Sequence, residues 1–313
     1  MSDGNPVNVA NMSCVSDRCG VTFFNFGGSC VVRLLVALHT LRKHYNGPVT
    51  IFLAKDDRFN EASAVDIGKF GNIQWFDLGS LAKRNLKCVL KPSLFEMSPY
   101  EHTIMCDGDM LFQGSPSHLF ASLVEKGFLV TKFSTWNTDG KKMRARIEKF
   151  RGLMSPEDFA TAGSQDPKRG KFPAINIGVM GWSKGCPEVL KTWKDRTMAV
   201  AGHHMADEHA AQVTFPFFPT AVMGTEWNES CVFPVDPKYS SSKVLHYHGN
   251  KHSDPKRLSS RLWLAALQDL MRSRKCPGLA EYLFWGDDAV LSNLSKLPEF
   301  FDPAVIYDPA KGR

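Results

Sequence analysis

Two aspartates separated by a single glycine, Asp107-Gly108-Asp109, are the residues whose types and spacing most clearly predict chemistry. They follow a short apolar run, Thr103 to Cys106, which is typical of a strand buried in a parallel sheet. Open α/β sheets bind their ligands at the carboxyl ends of such strands. Two ionised carboxylates in one pocket favour a divalent cation, and their hard oxygen atoms favour Mg²⁺ or Mn²⁺ over zinc. The alternative is a plain turn, in which this triplet is also common.

The segments around these aspartates alternate between predicted strands and helices. Strands are predicted over residues 21–26, 49–54, 73–76, 103–106, 128–133, 172–180 and 244–251. Helices are predicted over 30–45, 81–94, 115–124, 187–198, 258–274 and 279–294, and a further helix is predicted to begin within 203–212. Repeated alternation of this kind predicts an α/β fold with a largely parallel sheet covered by helices.

The turn after the first predicted strand carries Gly27 and Gly28. Glycines at this position would let the phosphates or the base of a nucleotide approach the backbone. The GxGxxG pattern of dinucleotide-binding proteins is absent. A tight turn without a ligand is the alternative for these two glycines.

We expect the chain to divide into a main α/β domain, residues 1–252, and a helical extension, residues 253–313. Within the first, residues 132–171 form a polar and basic insertion, which predicts either a solvated helix with its loop or a lid that contacts an acceptor. The basic residues of this insertion include Lys141, Lys142, Arg144, Arg146, Lys149, Arg151, Lys168 and Arg169.

The composition is that of a soluble globular protein, since 43% of the 313 residues are hydrophobic and 22% are charged. We find no apolar run long enough to span a membrane and no secretory signal, and the eight cysteines are scattered in a way that is usual for reduced thiols. These features predict a cytoplasmic protein. The net charge of +6 would suit an anionic ligand, and it permits nucleic acid without indicating it.

Five short motifs carry a resemblance to a known family. Lys91-Pro92 precedes Ser98-Pro99-Tyr100-Glu101, which leads into the Asp-Gly-Asp triplet, and three further motifs follow in order: Asn176-Ile177-Gly178-Val179, Asp207-Glu208-His209-Ala210 and His246-Tyr247-His248-Gly249-Asn250-Lys251. The order resembles that of nucleotide-sugar-dependent glycosyltransferases of the GT-A fold, in particular the glycogenin and galactosyltransferase-like family 8. The matches span residues 20 to 252. The resemblance implies a GT-A, Rossmann-like fold with a mixed, mostly parallel sheet.

The resemblance also implies a reaction and a set of site residues. The reaction would move a sugar from a nucleoside diphosphate sugar, with a UDP-sugar favoured, to an acceptor hydroxyl, with retention of configuration. The metal ligands would be Asp107, Asp109 and His246, and the imidazole favours Mn²⁺ over Mg²⁺. The donor would contact Gly27, Gly28, Lys91, Asp107, Asn176, Gly249 and Lys251, and the catalytic pair would be Asp207 and Glu208.

The chain departs from the family pattern at several positions. Cys106 and Gly108 replace the more usual leucine and alanine, and Lys251 falls one residue early. Glu208 stands where glutamine is common, and a carboxylate there could act as the base of an inverting enzyme. His246 could instead be a hydrogen-bonded histidine that closes a strand.

Two other functions remain open at this point. A nucleotidyltransferase also uses paired carboxylates on an α/β sheet, and the segment 27–33 is a loose match to its glycine-rich loop. A carbohydrate-binding protein of the same fold without catalytic activity is the second. The acceptor of a transferase could be a glycan, a protein or a modified nucleic-acid base.

Overall fold

The computed structural model describes eight segments of the chain, and the strands and helices below are those of this part. The segments are residues 18–26, 30–54, 61–76, 90–133, 141–163, 172–231, 237–248 and 257–279. The predicted helix 279–294 and most of the predicted helix 81–94 lie outside the described residues.

Ten strands form two sheets. Their bounds are β1 Cys19–Phe26, β2 Val49–Ala54, β3 Asn72–Phe76, β4 His102–Cys106, β5 Met110–Phe112, β6 Phe128–Lys132, β7 Ile175–Ser183, β8 Ala221–Met223, β9 Glu229–Ser230 and β10 Val244–His246. The large sheet has seven strands in the order β3-β2-β1-β4-β7-β6-β8, and the small sheet has three in the order β5-β10-β9. In the large sheet only β7 runs antiparallel to its neighbours, so the mixed and mostly parallel sheet is confirmed.

Nine α-helices accompany these strands in the described segments. Their bounds are α1 Val31–Arg42, α2 Glu61–Gly68, α3 Leu90–Met97, α4 Ser117–Lys126, α5 Lys141–Glu148, α6 Pro156–Gly163, α7 Pro187–Ala199, α8 Ala206–Thr214 and α9 Leu258–Arg272. On one face of the large sheet the core includes residues of α1, α4, α9 and the small sheet. On the other face it includes residues of α3, α5, α7 and α8.

The burial of the strands explains why continuous apolar runs marked them in the sequence. All six residues of β2 and all nine of β7 are buried, because helices or the small sheet cover both faces of the large sheet. The predicted strand 172–180 is displaced to Ile175–Ser183. Pro173 at its predicted start has no backbone N–H to donate to a neighbouring strand.

A bulge interrupts the pairing of β6 with β7 close to the end of β4. Val130 pairs with Met180, whereas the next residue of β6, Thr131, pairs with Asn176, so residues 177–179 of β7 lie between the two pairs. The carbonyl of Gly178 in this bulge accepts a hydrogen bond of 2.9 Å from the backbone N–H of Asp107. The bulge therefore holds the first residue after β4.

We expect Gly20→Ala to destabilise the fold, because a β-carbon at this position of β1 would lie 2.2 Å from the ring of Tyr100. Tyr100 is buried, and its hydroxyl lies 2.7 Å from the Thr50 hydroxyl, so the ring has little room to move. Overpacking of this kind costs about 1–3 kcal/mol. Urea unfolding measures the effect.

Gly185→Ala is the control, because a β-carbon there would meet no atom within 4 Å. If both variants unfold at the same urea concentration, the contact between Gly20 and Tyr100 does not constrain the fold.

Candidate active site

The Asp-Gly-Asp triplet connects the two sheets. Asp107 follows β4 of the large sheet, and Asp109 precedes β5 of the small sheet. The carbonyl of Asp109 accepts a hydrogen bond of 3.1 Å from the backbone N–H of Tyr247, the residue that follows β10. Backbone hydrogen bonds thus hold both aspartates at the junction of the sheets.

His246, the last residue of β10, completes a group of three possible metal ligands. Its Nε2 lies 3.3 Å from Oδ1 of Asp109 and 3.7 Å from Oδ2 of Asp107. One ligand atom from each of the three residues lies within 4.8 Å of the others. Two carboxylates and an imidazole fit a divalent cation such as Mn²⁺, because both ligand types suit this ion.

Gly178 makes room for the imidazole of His246. A β-carbon at Gly178 would lie 2.5 Å from the ring, so any larger residue would displace it. The absence of a side chain at this point of the β7 bulge therefore permits the approach of His246 to the aspartates.

Lys91, in α3, contributes a buried positive charge. Its Nζ lies 2.8 Å from Oδ1 of Asp107, donates to the carbonyl of Ile177 at 3.2 Å and lies 5.5 Å from the centre of the Phe24 ring. Burial lowers the pKa of the ammonium, but the negative charges of Asp107, Asp207 and Asp109 outweigh it, so the pKa is raised. Lys91 is therefore positively charged at neutral pH.

Asn176 lies at the start of the bulge and lines the pocket. Its Oδ1 accepts hydrogen bonds of 2.7 Å from the N–H of Gly178 and of 2.8 Å from Nδ2 of Asn228. Because both bonds use the oxygen, the amide group has a fixed orientation.

Asp207 lies in the first turn of α8. Its Oδ1 accepts a hydrogen bond of 2.9 Å from the backbone N–H of Glu208. Burial is the main cause that raises its pKa from the ordinary value of 3.8 to about 6, with a further contribution from Asp107 and an opposing one from Lys91. Met205, two residues before Asp207, has a left-handed φ of 59° and lines the same pocket. The start of α8 thus holds a carboxyl group that titrates near neutral pH.

Glu208 forms a buried ion pair with Arg146 of α5. The guanidinium also donates a hydrogen bond of 3.1 Å to the carbonyl of Ile175. Burial lowers the pKa of Arg146 to about 9, although Asp207 partly offsets this effect. The sequence did not indicate this partner, because Arg146 is one of many basic residues in its segment and has no distinguishing pattern.

Of the basic segment 132–171, the structure describes residues 132–133, at the end of β6, and residues 141–163. There, α5 packs against α8, while Arg144 and Arg151 remain exposed. The exposed charges fit the solvated-helix interpretation, and the buried Arg146 fits neither of the two interpretations. Contact of this segment with an acceptor stays a prediction.

Most of the side chains described above line one pocket of about 270 Å³. Its lining consists of Lys91, Asp107, Asp109, Asn176, Ile177, Met205, Asp207, Glu208, His246 and His248. Seven of these are residues that the sequence analysis assigned to the site. The ring of His248, which it did not assign, stacks on that of His246 with 3.8 Å between the ring centres. The other predicted donor contacts, Gly27, Gly28, Gly249 and Lys251, lie outside the described residues.

The comparisons with known proteins concern the fold. No family model matches the sequence, and a search of curated proteins finds no match either. A structural search aligns 80% of the chain with 95% of the galactosyltransferase LgtC, solved with donor and acceptor sugar analogues, at a TM-score of 0.55 and 13% identity. The chain has a glycosyltransferase fold of the GT-A type.

A second solved structure supports the same fold. The bifunctional glycosyltransferase WbbM, in its apo form, aligns with 89% of this chain at a TM-score of 0.58 and 12% identity. The alignment covers 52% of WbbM, so this chain corresponds to about half of that protein.

Among the described helices, none combines the length and the apolar character that are needed to cross a membrane.

We expect Arg146→Met to lower the free energy of unfolding by about 3–5 kcal/mol, because it leaves the buried carboxylate of Glu208 without its partner. Adding Glu208→Gln should recover part of this loss, since no unpaired buried charge then remains. Chemical denaturation of the single and double variants measures both effects.

Arg144→Met is the control, because Arg144 belongs to the same helix but is exposed. If Arg146→Met is as stable as the wild type, the ion pair contributes nothing to the stability of the fold.

We expect Asp207→Asn to stabilise the protein at pH 7 in the absence of ligands. Because the folded-state pKa of about 6 lies above the ordinary value of 3.8, the folded state binds more protons between these pH values. Wild-type stability therefore falls as the pH rises through this window, and the asparagine variant avoids the loss. The difference should be about 1–3 kcal/mol at pH 7 and should vanish near pH 4.

Unfolding curves of both proteins between pH 4 and pH 7 test this, with the exposed Asp195→Asn as the control. A difference that does not change with pH would contradict the assignment of the titration to Asp207.

Proposed function

We propose that this protein is a metal-dependent glycosyltransferase that moves a sugar from a nucleoside diphosphate sugar to an acceptor hydroxyl. The observation that carries the proposal is the convergence of Asp107, Asp109 and His246, with ligand atoms within 4.8 Å of one another, in a chain with a glycosyltransferase fold. The donor is a UDP-sugar and the reaction retains the anomeric configuration. Both of these details rest on the family resemblance of the sequence.

The three ligands would hold Mn²⁺ in preference to Mg²⁺, because an imidazole is a poor ligand for Mg²⁺. The bound cation would offset the negative charge that develops on the departing diphosphate. Before a donor binds, the charge of Asp107 is compensated by Lys91, whose ammonium lies 2.8 Å away. Lys91 would then contact the diphosphate of the donor through the same ammonium.

Asn176 and Asp207 are assigned to the hydroxyl groups of the donor sugar. The Oδ1 atom of Asn176 already accepts two hydrogen bonds, so its amide nitrogen is the group that would donate to a hydroxyl. The carboxyl of Asp207, next to Lys91 in the same pocket, would accept from one. Gly27, Gly28, Gly249 and Lys251 stay predicted contacts of the nucleotide and its diphosphate.

Glu208 is assigned a place beside the reacting face of the sugar. An ion-paired carboxylate is a weak base, because proton uptake would leave the charge of Arg146 buried without a partner. This argues against Glu208 as the base of an inverting reaction. It supports retention, with Glu208 and Arg146 acting together as a neutral polar pair.

The acceptor is a glycan, a protein or a modified nucleic-acid base, and the net charge of +6 is compatible with an acidic one. The catalytic domain is proposed to be residues 1–252 with residues 253–313 as a helical extension. The cytoplasmic location that the sequence suggests also stays a prediction.

Thermal unfolding with UDP-sugars and Mn²⁺ tests the proposal. A donor that binds the folded state should raise the melting temperature by several degrees only when Mn²⁺ is present, and EDTA should reverse the shift. Asp109→Asn should abolish the shift because it removes a metal-binding charge, whereas the exposed Asp195→Asn should retain it. The absence of a shift with every nucleotide sugar would contradict the proposal.

Product analysis separates this function from the alternatives. Release of UDP from the donor indicates a transferase, and the anomeric configuration of the transferred sugar, read by NMR, tests retention. Release of pyrophosphate from a nucleoside triphosphate would instead identify a nucleotidyltransferase. Binding of a donor without any turnover would identify a carbohydrate-binding protein.

A further inference from the structure

Asn228 connects the β7 bulge to the imidazole of His246. It follows a short 3₁₀ turn, Thr225–Trp227, and precedes β9, and only 2% of its surface is exposed. Its side chain contacts Thr131, Asn176 and His246. In the sequence it begins an Asn-Glu-Ser glycosylation sequon, a short pattern that does not indicate a place beside a metal ligand.

The direction of each hydrogen bond in this cluster follows from one backbone group. The N–H of Gly178 can only donate, so the side-chain atom of Asn176 that lies 2.7 Å from it is the oxygen. The Asn228 atom that faces this oxygen at 2.8 Å must then be the amide nitrogen. The same nitrogen donates at 2.8 Å to the hydroxyl of Thr131, whose own proton goes to the carbonyl of Asn176 at 3.0 Å.

The oxygen of Asn228 therefore faces His246. It lies 2.9 Å from Nδ1 and can only accept, so Nδ1 carries a hydrogen. Asp107 and Asp109 at the opposite nitrogen, Nε2, would by themselves favour a hydrogen there, because a carboxylate accepts hydrogen bonds and does not donate them. A nitrogen that carries a hydrogen cannot bind a metal ion through its lone pair.

We propose that Asn228 is a positioning residue that fixes His246 in the form with hydrogen on Nδ1, so that the lone pair of Nε2 points to the cation. This inference rests on the proposed function, because it concerns the binding of a divalent cation. Asn228 would orient the metal ligand His246 without touching the metal. The backbone N–H of Gly178 sets this orientation, because it fixes the amide of Asn176, which in turn fixes that of Asn228.

The first test is the Mn²⁺ affinity of the whole protein, measured by calorimetry or from the electron paramagnetic resonance signal of free Mn²⁺. Loss of a group that orients a metal-binding histidine typically weakens affinity about 10–100-fold, and we expect this for Asn228→Leu. Thr131→Val is the matched control, since it removes a hydrogen bond from the same cluster but keeps the contact between Asn228 and His246. Its affinity should change less than about threefold.

The second test reads the hydrogen position directly in the metal-free protein. Nitrogen-15 NMR of labelled histidines should show hydrogen on Nδ1 of His246 in the wild type and its loss from Nδ1 in Asn228→Leu. The wild-type spectrum needs no variant, so the test holds even if Asn228→Leu does not fold. A wild-type Nδ1 without hydrogen would overturn the inference.

The outcomes distinguish this inference from the proposed function. If the wild type binds Mn²⁺ and Asn228→Leu binds it equally well, or if both variants lose affinity to the same degree, the inference fails and the proposed function stands. If the wild type does not bind Mn²⁺ at all, the proposed function fails, and with it the metal-directed role of Asn228.

Discussion

Four carboxylates face one pocket of about 270 Å³, and the compensation of their charge is the constraint on which the rest of the site depends. Two are offset by a basic group from a different element: Lys91 of α3 lies 2.8 Å from Asp107, and Arg146 of α5 pairs with Glu208. The carboxylate of Asp109 lies 3.3 Å from Nε2 of His246. Asp207 is compensated less completely, which is why its pKa is raised to about 6. In the proposed function a cation and a diphosphate would take over the charge compensation that Lys91 gives Asp107, whereas Arg146 is fixed in the core.

The geometry of these charges depends on one irregularity in the large sheet. The β7 bulge places the carbonyl of Gly178 against the backbone of Asp107, its N–H against Asn176, and its bare α-carbon against the ring of His246. In a regular β6–β7 pairing, every second residue of β7 would direct a side chain towards this side of the sheet. The bulge thus acts through backbone groups, which do not change rotamer and therefore define the site more rigidly than side chains would.

The sequence predicted those parts of the structure that local patterns encode. Apolar runs marked most strands because the large sheet is covered on both faces, and the Asp-Gly-Asp triplet identified the end of β4. The short strands β5, β8 and β9 were not predicted, because two or three residues show no periodicity. Arg146 and Asn228 were also missed as parts of the site. Each makes its decisive contact with a residue far along the chain, and neither differs in local pattern from solvent-exposed arginines and asparagines.

The division of the three possible metal ligands between the two sheets has a mechanical consequence. Asp107 follows a strand of the large sheet, and His246 ends a strand of the small one. A cation held by both would add a cross-link between two layers that also meet through apolar packing, backbone hydrogen bonds and the side chain of Asn228. The cohesion of the layers and the affinity for the ion would then be thermodynamically linked, each strengthening the other. A substitution far from the pocket that loosens the contact between the layers would weaken ion binding without touching a ligand.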